Sequence, residues 1–228
     1  MKKPVVDYRE FRLSKINDPR FSHLKLLLGW VFYFLAYFIT EKFIPESTCY
    51  VIHSKLDDLI PFCEVFVIPY VFWYFLVFGS LLYFLLYNVS SFKKLMIFII
   101  ITQVTAMLIY IFFPNCQDMR PEEFTRDNIF TQSVGFLYSV DTNTNVFPSL
   151  HVAYSLAIAS VWCKEKDASL LWKIFVVVAV ILICLSTAFI KQHSVLDGFA
   201  SLFMCLVIEI FLYRDYYLKK FKKQTSEK

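Results

Sequence analysis

The stretch NVFPSLHVAY, residues 145–154, decides how many times this chain is expected to cross a membrane. It opens an apolar run that continues to residue 163, and it places a proline, a serine and a histidine at the start of that run. A membrane-spanning helix needs about 20 mostly apolar residues, and the run reaches that length only if the helix begins inside the quoted stretch. Counting the run as a span gives six membrane helices, and omitting it gives five.

The composition of the whole chain is typical of a membrane protein. Its 228 residues are 58% hydrophobic and only 18% charged, and the mean hydropathy is +0.55. A soluble domain usually has about 25% charged residues, so this chain lacks the charge to cover a water-exposed surface. We therefore predict an all-α membrane protein, a single domain with six transmembrane helices. Their expected ranges are 24–40, 64–87, 95–113, 146–163, 170–190 and 195–213. The predicted divisions are a cytoplasmic N-terminal segment (1–23), a membrane core (24–213) and a cytoplasmic basic tail (214–228).

The distribution of lysine and arginine predicts the orientation of these helices. Short loops on the cytoplasmic side of a membrane are enriched in both residues. The cations of this chain cluster in the segments 2–25, 93–94, 164–173 and 214–223. The loops 41–63 and 114–145 have fewer cations and more acids. Both termini are therefore expected in the cytoplasm, both loops outside it, and the low-glycine, Phe- and Ile-rich composition suits a bacterial inner membrane.

Several kinds of site are excluded by residue usage. The chain has four glycines, at 29, 79, 135 and 198, so it has no glycine-rich loop for a nucleotide phosphate. Its six cysteines form no C-x-x-C pair, so neither a zinc site nor a redox motif is present, and no cofactor is expected. Cations that flank apolar runs suit anionic lipid headgroups rather than nucleic acid. A disulfide between Cys49 and Cys63 is one option in the outer loops.

Two histidines and an aspartate stand at the outer ends of predicted helices. His151 enters the fourth span from outside, and His193 lies in the short outer connection before the sixth. Asp197 follows His193 by four residues, which puts both on one face of a helix. A carboxylate there can hold one ring nitrogen and leave the other basic. An acid within a membrane helix is costly and usually functional, so His193, Asp197 and His151 are candidate catalytic residues.

Three further residues on the same side suit a phosphate group. The guanidinium of Arg120 matches phosphate oxygens, and Ser149 offers a hydroxyl beside helix-end amides. Lys191 precedes His193 by two residues. With two histidines nearby, this set describes a phosphate site in which one imidazole attacks phosphorus and the other protonates the leaving oxygen. A His and Asp pair could also be half of a metal site, but no further ligands occur at matching spacing, so no metal is expected.

These residues resemble the signature motifs of the type 2 phosphatidic acid phosphatase superfamily, which includes lipid phosphatases and sphingolipid headgroup transferases. The family pattern is K-x6-R-P, then P-S-G-H, then S-R-x5-H-x3-D. This chain has Arg120-Pro121, then PSLH at 148–151, then Ser186 with His193 and Asp197 at the same intervals. The resemblance implies that His193 is the nucleophile that forms a phosphohistidine, oriented by Asp197. It also implies that His151 protonates the leaving group, and that Arg120 and Ser149 hold the phosphoryl oxygens without a metal.

The chain departs from the family pattern at three positions. Phe113 stands where the family has Lys, Thr187 where it has Arg, and Leu150 where it has Gly. Lys191 and Arg126 are the candidates to replace the two cations. The expected function is hydrolysis of a lipid phosphate or diphosphate ester at the outer face. The P-S-L-H variant also resembles inositol phosphorylceramide synthase, which leaves headgroup transfer as an alternative, and the missing cations leave open a non-catalytic membrane protein.

Overall fold

The computed structural model describes residues 3–43 and 48–226, and 72% of the chain is helical. Lys2 and Glu46, which contributed to the charge argument, lie outside these residues, as do residues 227–228 of the predicted tail. The helices are α1 (Leu28–Phe43), α2 (Lys55–Leu59), α3 (Val67–Tyr87), α4 (Val89–Phe112), α5 (Ile129–Val140), α6 (Leu150–Lys164), α7 (Leu170–Phe189), α8 (Val195–Leu212) and α9 (Arg214–Ser226). Two short parallel strands, β1 (Tyr50–Val51) and β2 (Asn115–Cys116), pair with each other.

Within the described part of the chain, five helical segments are long and apolar enough to cross a membrane. They are Ser22–Lys42, Glu64–Tyr87, Val89–Phe112, Leu170–Phe189 and Val195–Leu212. The first and second include short 3₁₀ turns ahead of α1 and α3. The prediction of an all-α, multi-pass membrane protein is confirmed at this level. The sixth span and the orientation of the helices stay predictions.

The helix α6 is shorter than the sequence predicted. The expected range began at residue 146, but α6 begins at Leu150, because Ser149 has an extended backbone and its side chain accepts a hydrogen bond from Val152 N. At 15 residues, α6 is about 22 Å long, which is less than the hydrocarbon thickness of about 30 Å. α6 lies inside the bundle, where it packs against α3, α4, α7 and α8 and buries more than half of its residues.

Serine and asparagine side chains cap three other core helices, α4, α7 and α8. Asn88 caps α4 by accepting from Ser91 N, and Ser169 caps α7 by accepting from Trp172 N. Ser194 caps α8, and Asp197 in the first turn accepts in return from Ser194 N. Each cap satisfies amide groups that no helix can pair internally, which fixes where each helix begins.

The helices place two chemically different groups of residues at opposite ends of the bundle. At one end, here called the basic end, α3 turns into α4, and Asn88 Nδ2 donates to Glu165 after α6. At the other, here called the site end, α4 and α7 end while α6 and α8 begin. All four cation clusters of the sequence belong to the basic end. His151, His193 and Asp197 belong to the site end.

A disulfide joins two loops at the site end differently from the pairing considered above. Cys49 is bonded to Cys116, and Cys63 is a free thiol, so the suggested Cys49 to Cys63 bridge is wrong. The pairing of β1 with β2 places Val51 opposite Cys116, which brings Cys49 close to it. The amide of Cys63 instead donates to the carbonyl of Phe189 at the end of α7. The bridge therefore ties the segment before α2 to the segment after α4.

Candidate active site

His193 and Asp197 form a buried pair at the start of α8. Nδ1 of His193 lies 3.0 Å from Oδ2 of Asp197, and the same oxygen accepts from Ser194 N at 3.1 Å. Because a carboxylate can only accept hydrogen bonds, this arrangement assigns the ring proton to Nδ1 and leaves Nε2 with its lone pair. His193 is 8% exposed and Asp197 is fully buried. The pair has the geometry of a nucleophile or base held by a carboxylate.

Asp57 supports this pair from a distant part of the chain. Its carboxylate accepts from Ser194 Oγ at 2.6 Å and from Val195 N at 2.8 Å. Burial opposes ionisation of Asp57, but these bonds and those from Ser54 outweigh it and lower the pKa of the carboxyl. The negative charge lies at the positive end of α8, where it is favourable. Asp57 thus holds the turn on which His193 is carried.

His151 is stacked among aromatic rings of α3. Its ring centroid is 4.5 Å from that of Tyr70 and 4.2 Å from that of Trp73. These two residues are three apart in α3 and so lie on one helix face. The rings of His151 and His193 are 5.8 Å apart. Nε2 of His151 is buried and makes no hydrogen bond with the described residues, so the imidazole is positioned by packing alone.

Both histidines line a cavity of about 530 Å³. Its wall is formed by α1, α3, α4 and α6, by the segment from Val140 to Val146, and by Gln192. Aromatic side chains dominate that wall. The cavity therefore joins the two imidazoles to an apolar interior, which suits a ligand with a hydrocarbon part.

Arg120, the first of the predicted phosphate-binding residues, makes its hydrogen bonds outside the cavity. Arg120 donates to the backbone carbonyls of Tyr138, Asp141 and Thr142, and its guanidinium lies 4.5 Å from the centre of the Tyr138 ring. Burial lowers the pKa of Arg120, although nearby Asp141 acts in the opposite direction. Arg120 therefore stabilises the segment that follows α5 and does not line the cavity.

Ser149 and Lys191 are likewise absent from the cavity wall. Ser149 is fully buried, and its side chain caps α6. Lys191 Nζ donates to the carbonyls of Asp57 and Ile60, and burial lowers its pKa. The structure thus brings His193, Asp197 and His151 together, and the backbone N–H of Ser149 donates to the carbonyl of Asp197 at 3.3 Å. The side chains of Arg120, Ser149 and Lys191 do not line the cavity. The role of the last three as phosphate ligands stays a prediction.

Phe113 and Thr187 stand where the family pattern has cations, and no Lys or Arg among the described residues lines the cavity in their place. Phe113 stacks on Tyr50 at 4.6 Å, and Thr187 donates to the carbonyl of Cys184. Arg126, the other suggested replacement, lies 3.3 Å from the carboxylate of Glu64. Leu150 lines the cavity beside His151. The substitution from Gly therefore adds an apolar surface to the site.

Asp141 is a cavity residue that the sequence did not single out. Its Oδ2 accepts from Tyr70 Oη at 3.1 Å and from Gln192 Nε2 at 2.9 Å. Burial raises the pKa of this carboxyl, while His193 and the bond from Tyr70 lower it. In the sequence, Asp141 is one of many acids in an outer loop, so no spacing pointed to it.

Comparisons with known proteins give no independent assignment. No family model, no curated protein and no solved structure matches this chain. Among the described residues, no group of three or more His, Cys, Asp or Glu is arranged to hold a metal ion. Any function must therefore be argued from the site itself.

Proposed function

We propose that the chain is a membrane enzyme that transfers a phosphoryl group from a lipid ester through a phosphohistidine at His193, and that it acts as a lipid phosphatase. The observation that carries the proposal is the 3.0 Å contact between His193 and Asp197 facing His151 across a largely apolar cavity. The motif resemblance to the type 2 phosphatidic acid phosphatase superfamily supports the same chemistry.

The proposed reaction has two steps. Nε2 of His193 attacks phosphorus, the bond from phosphorus to the lipid oxygen breaks, and protonated His151 gives its proton to that oxygen. In the second step, neutral His151 takes a proton from water as the water oxygen attacks phosphorus, and the bond to Nε2 breaks. Asp197 keeps Nδ1 protonated and stabilises the positive charge that His193 carries in the intermediate.

Transfer to an alcohol is a second candidate, and the lining of the cavity favours it. Leu150 and the surrounding aromatic rings make most of the cavity wall apolar, although Asp141 and Gln192 also line it. An acceptor with its own hydrocarbon part would enter such a cavity more readily than water. The chemistry at His193 is the same, and only the second nucleophile changes.

The proposed location is the inner membrane of a cell, with the site end outside the cytoplasm. The cation clusters at the basic end support this orientation. A membrane-impermeant thiol reagent should label a cysteine introduced at exposed Asp118 in intact cells, and one at exposed Lys219 only after lysis. The reverse pattern would contradict the orientation.

The activity can be tested with purified protein and a panel of lipids. Phosphatidic acid, phosphatidylglycerol phosphate, undecaprenyl diphosphate, phosphatidylcholine and phosphatidylethanolamine would be offered with and without candidate alcohols. Free phosphate, released headgroup phosphate and transfer products would be measured. We expect the wild type and His53→Ala to be active and His193→Ala inactive, since His53 pairs with Asp58 away from the cavity. Equal activity in His193→Ala, or none in the wild type, would contradict the proposal and favour a non-catalytic membrane protein.

A further inference from the structure

The charge of the cavity bears on which lipid it accepts. Among the described residues that line it there is no Lys or Arg, and there is one carboxylate, that of Asp141. The two nearest candidate cations, Arg120 and Lys191, donate to backbone carbonyls. A phosphate monoester carries close to two negative charges at neutral pH. Such a group would meet no Lys or Arg in this cavity, and the protonated His151 of the proposed mechanism would balance only part of its charge.

The lining of the cavity fits a cation. Seven tyrosine and tryptophan side chains line it: Trp30, Tyr33, Tyr37, Trp73, Tyr74, Tyr110 and Tyr154. Ammonium groups are attracted to the faces of such rings, and cages of Tyr and Trp are the usual means of binding quaternary ammonium. These side chains come from α1, α3, α4 and α6, so they surround the cavity from several sides. A partly buried carboxylate among aromatic rings is a favourable environment for an ammonium group.

The carboxylate of Asp141 is also available to such a ligand. Both of its hydrogen bonds go to Oδ2, and Oδ1 makes none with the described residues. Gln192, one of the two donors, is the residue immediately before His193. Asp141 and His193 therefore line the same cavity, with Asp141 bonded to the residue that precedes His193.

We propose that the lipid processed at His193 is a zwitterionic phosphodiester, in which an ammonium-bearing alcohol is esterified to the phosphate, and that Asp141 and the aromatic rings bind the ammonium group. This inference rests on the proposed function and specifies its substrate. A phosphodiester has one negative charge, which the ammonium group balances, so the ligand as a whole needs no cation from the protein. The inference accounts for the absence of Lys and Arg from the described cavity wall.

The chemistry remains balanced with this substrate. His193 Nε2 forms a bond to phosphorus, the bond to the glyceride oxygen breaks, and His151 protonates that oxygen. The ammonium-bearing alcohol stays on the phosphoryl group. Its transfer to an acceptor hydroxyl, or to water, releases His193 as the acceptor proton passes to His151.

The binding preference can be measured separately from turnover. His193→Ala protein in detergent would be titrated with short-chain phosphatidylcholine, phosphatidylethanolamine, phosphatidylglycerol and phosphatidic acid, with tryptophan fluorescence as the signal, since Trp30 and Trp73 line the cavity. We expect the two zwitterionic lipids to bind about tenfold more tightly than the two anionic ones. Asp141→Asn should abolish the preference, and Asp118→Asn, an exposed acid outside the cavity, should keep it.

Substitutions at Tyr33 provide a second test of the same binding preference, which remains informative if Asp141→Asn does not fold. Tyr33→Phe retains the ring and should keep the preference, whereas Tyr33→Leu should reduce it. Equal or tighter binding of phosphatidic acid, or a preference unchanged in both Asp141→Asn and Tyr33→Leu, would overturn the inference. Turnover of phosphatidic acid without a zwitterionic preference would overturn it while leaving the phosphatase proposal standing. A zwitterionic preference without turnover of any lipid would support the binding assignment and contradict the catalytic proposal.

Discussion

Ser194 Oγ donates a hydrogen bond of 2.6 Å to the carboxylate of Asp57, which lies 137 residues earlier in the chain. The bond joins the short helix α2 to the first turn of α8, between His193 and Asp197. The pair of His193 and Asp197 therefore depends on the loop that carries α2 as well as on its own helix. Because Asp57 is buried, its loss should affect both stability and the geometry of the site.

Asp57→Asn should lower the free energy of unfolding by about 1–3 kcal/mol, because bonds to a buried charged acceptor are lost or weakened. Thermal unfolding in detergent would measure this as a Tm lower by roughly 3–8 °C. Since the folded pKa of Asp57 is lowered, its contribution is full above the unfolded pKa of about 3.9 and disappears as pH falls through the lower folded value. An Asp58→Asn control, at an exposed side chain, should leave Tm unchanged. Equal Tm values for the two variants would count against the role given to Asp57.

Asp197→Asn should reduce kcat on the order of 10⁴-fold while changing KM little. The amide would donate towards Nδ1 of His193, which forces the proton to Nε2 and removes the lone pair needed for attack. Steady-state kinetics on the best lipid of the panel would measure the loss, with Asp215→Asn at the basic end as the control. A folded Asp197→Asn enzyme with kcat within tenfold of wild type would show that the pair is structural only.

Removal of the disulfide by replacing Cys49 and Cys116 with serine should lower stability by about 2–4 kcal/mol, because a loop of 67 residues is no longer closed. Thiol alkylation before and after reduction, followed by peptide mass spectrometry, identifies the bridge directly. Cys63 should be alkylated without reduction, and Cys49 and Cys116 only after it. Protection of Cys63 in the oxidised protein would contradict the pairing.

The affinity for a zwitterionic lipid should fall as pH is lowered, because the ammonium group needs Asp141 ionised. Burial raises the pKa of Asp141, Glu41 of α1 raises it further, and Tyr70 of α3, His193 and Arg120 lower it. Titrations in the His193→Ala background remove the charge of His193 from this set. Binding of phosphatidylcholine should weaken on acidification, and Asp141→Asn should bind weakly at every pH. A pH-independent affinity in protein with Asp141 intact would contradict the ammonium contact.

The sequence predicted the parts of the site that depend on local spacing. His193 and Asp197 are four residues apart and do meet, but His193 lies just before the Ser194 cap of α8, so the expectation that both lie on one helix face is wrong. Alternation of the spans placed His151 at the same end. Residues joined by long-range contacts were not predictable in this way. Asp57 and Asp141 looked like ordinary loop acids, and Cys49 paired with Cys116 because two short strands align there.

Arg120 and Lys191 also show that long-range contacts are not predictable from sequence spacing. Arg120 and Lys191 had suitable charge and sidedness for a phosphate, but their side chains are taken up by backbone carbonyls. Which oxygen a long cationic side chain reaches depends on the fold of both loops. The start of α6 at Leu150 was also missed, because hydropathy counting does not register the cap formed by Ser149.

Trapping the covalent intermediate tests the central claim most directly. Protein mixed with the lipid panel would be quenched in alkali, where phosphohistidine survives, digested and analysed by mass spectrometry. We predict a phosphoryl-type adduct on the peptide that carries His193, absent in His193→Ala and present in His53→Ala. Lipid turnover that persists in His193→Ala, with no adduct on that peptide in the wild type, would contradict the account.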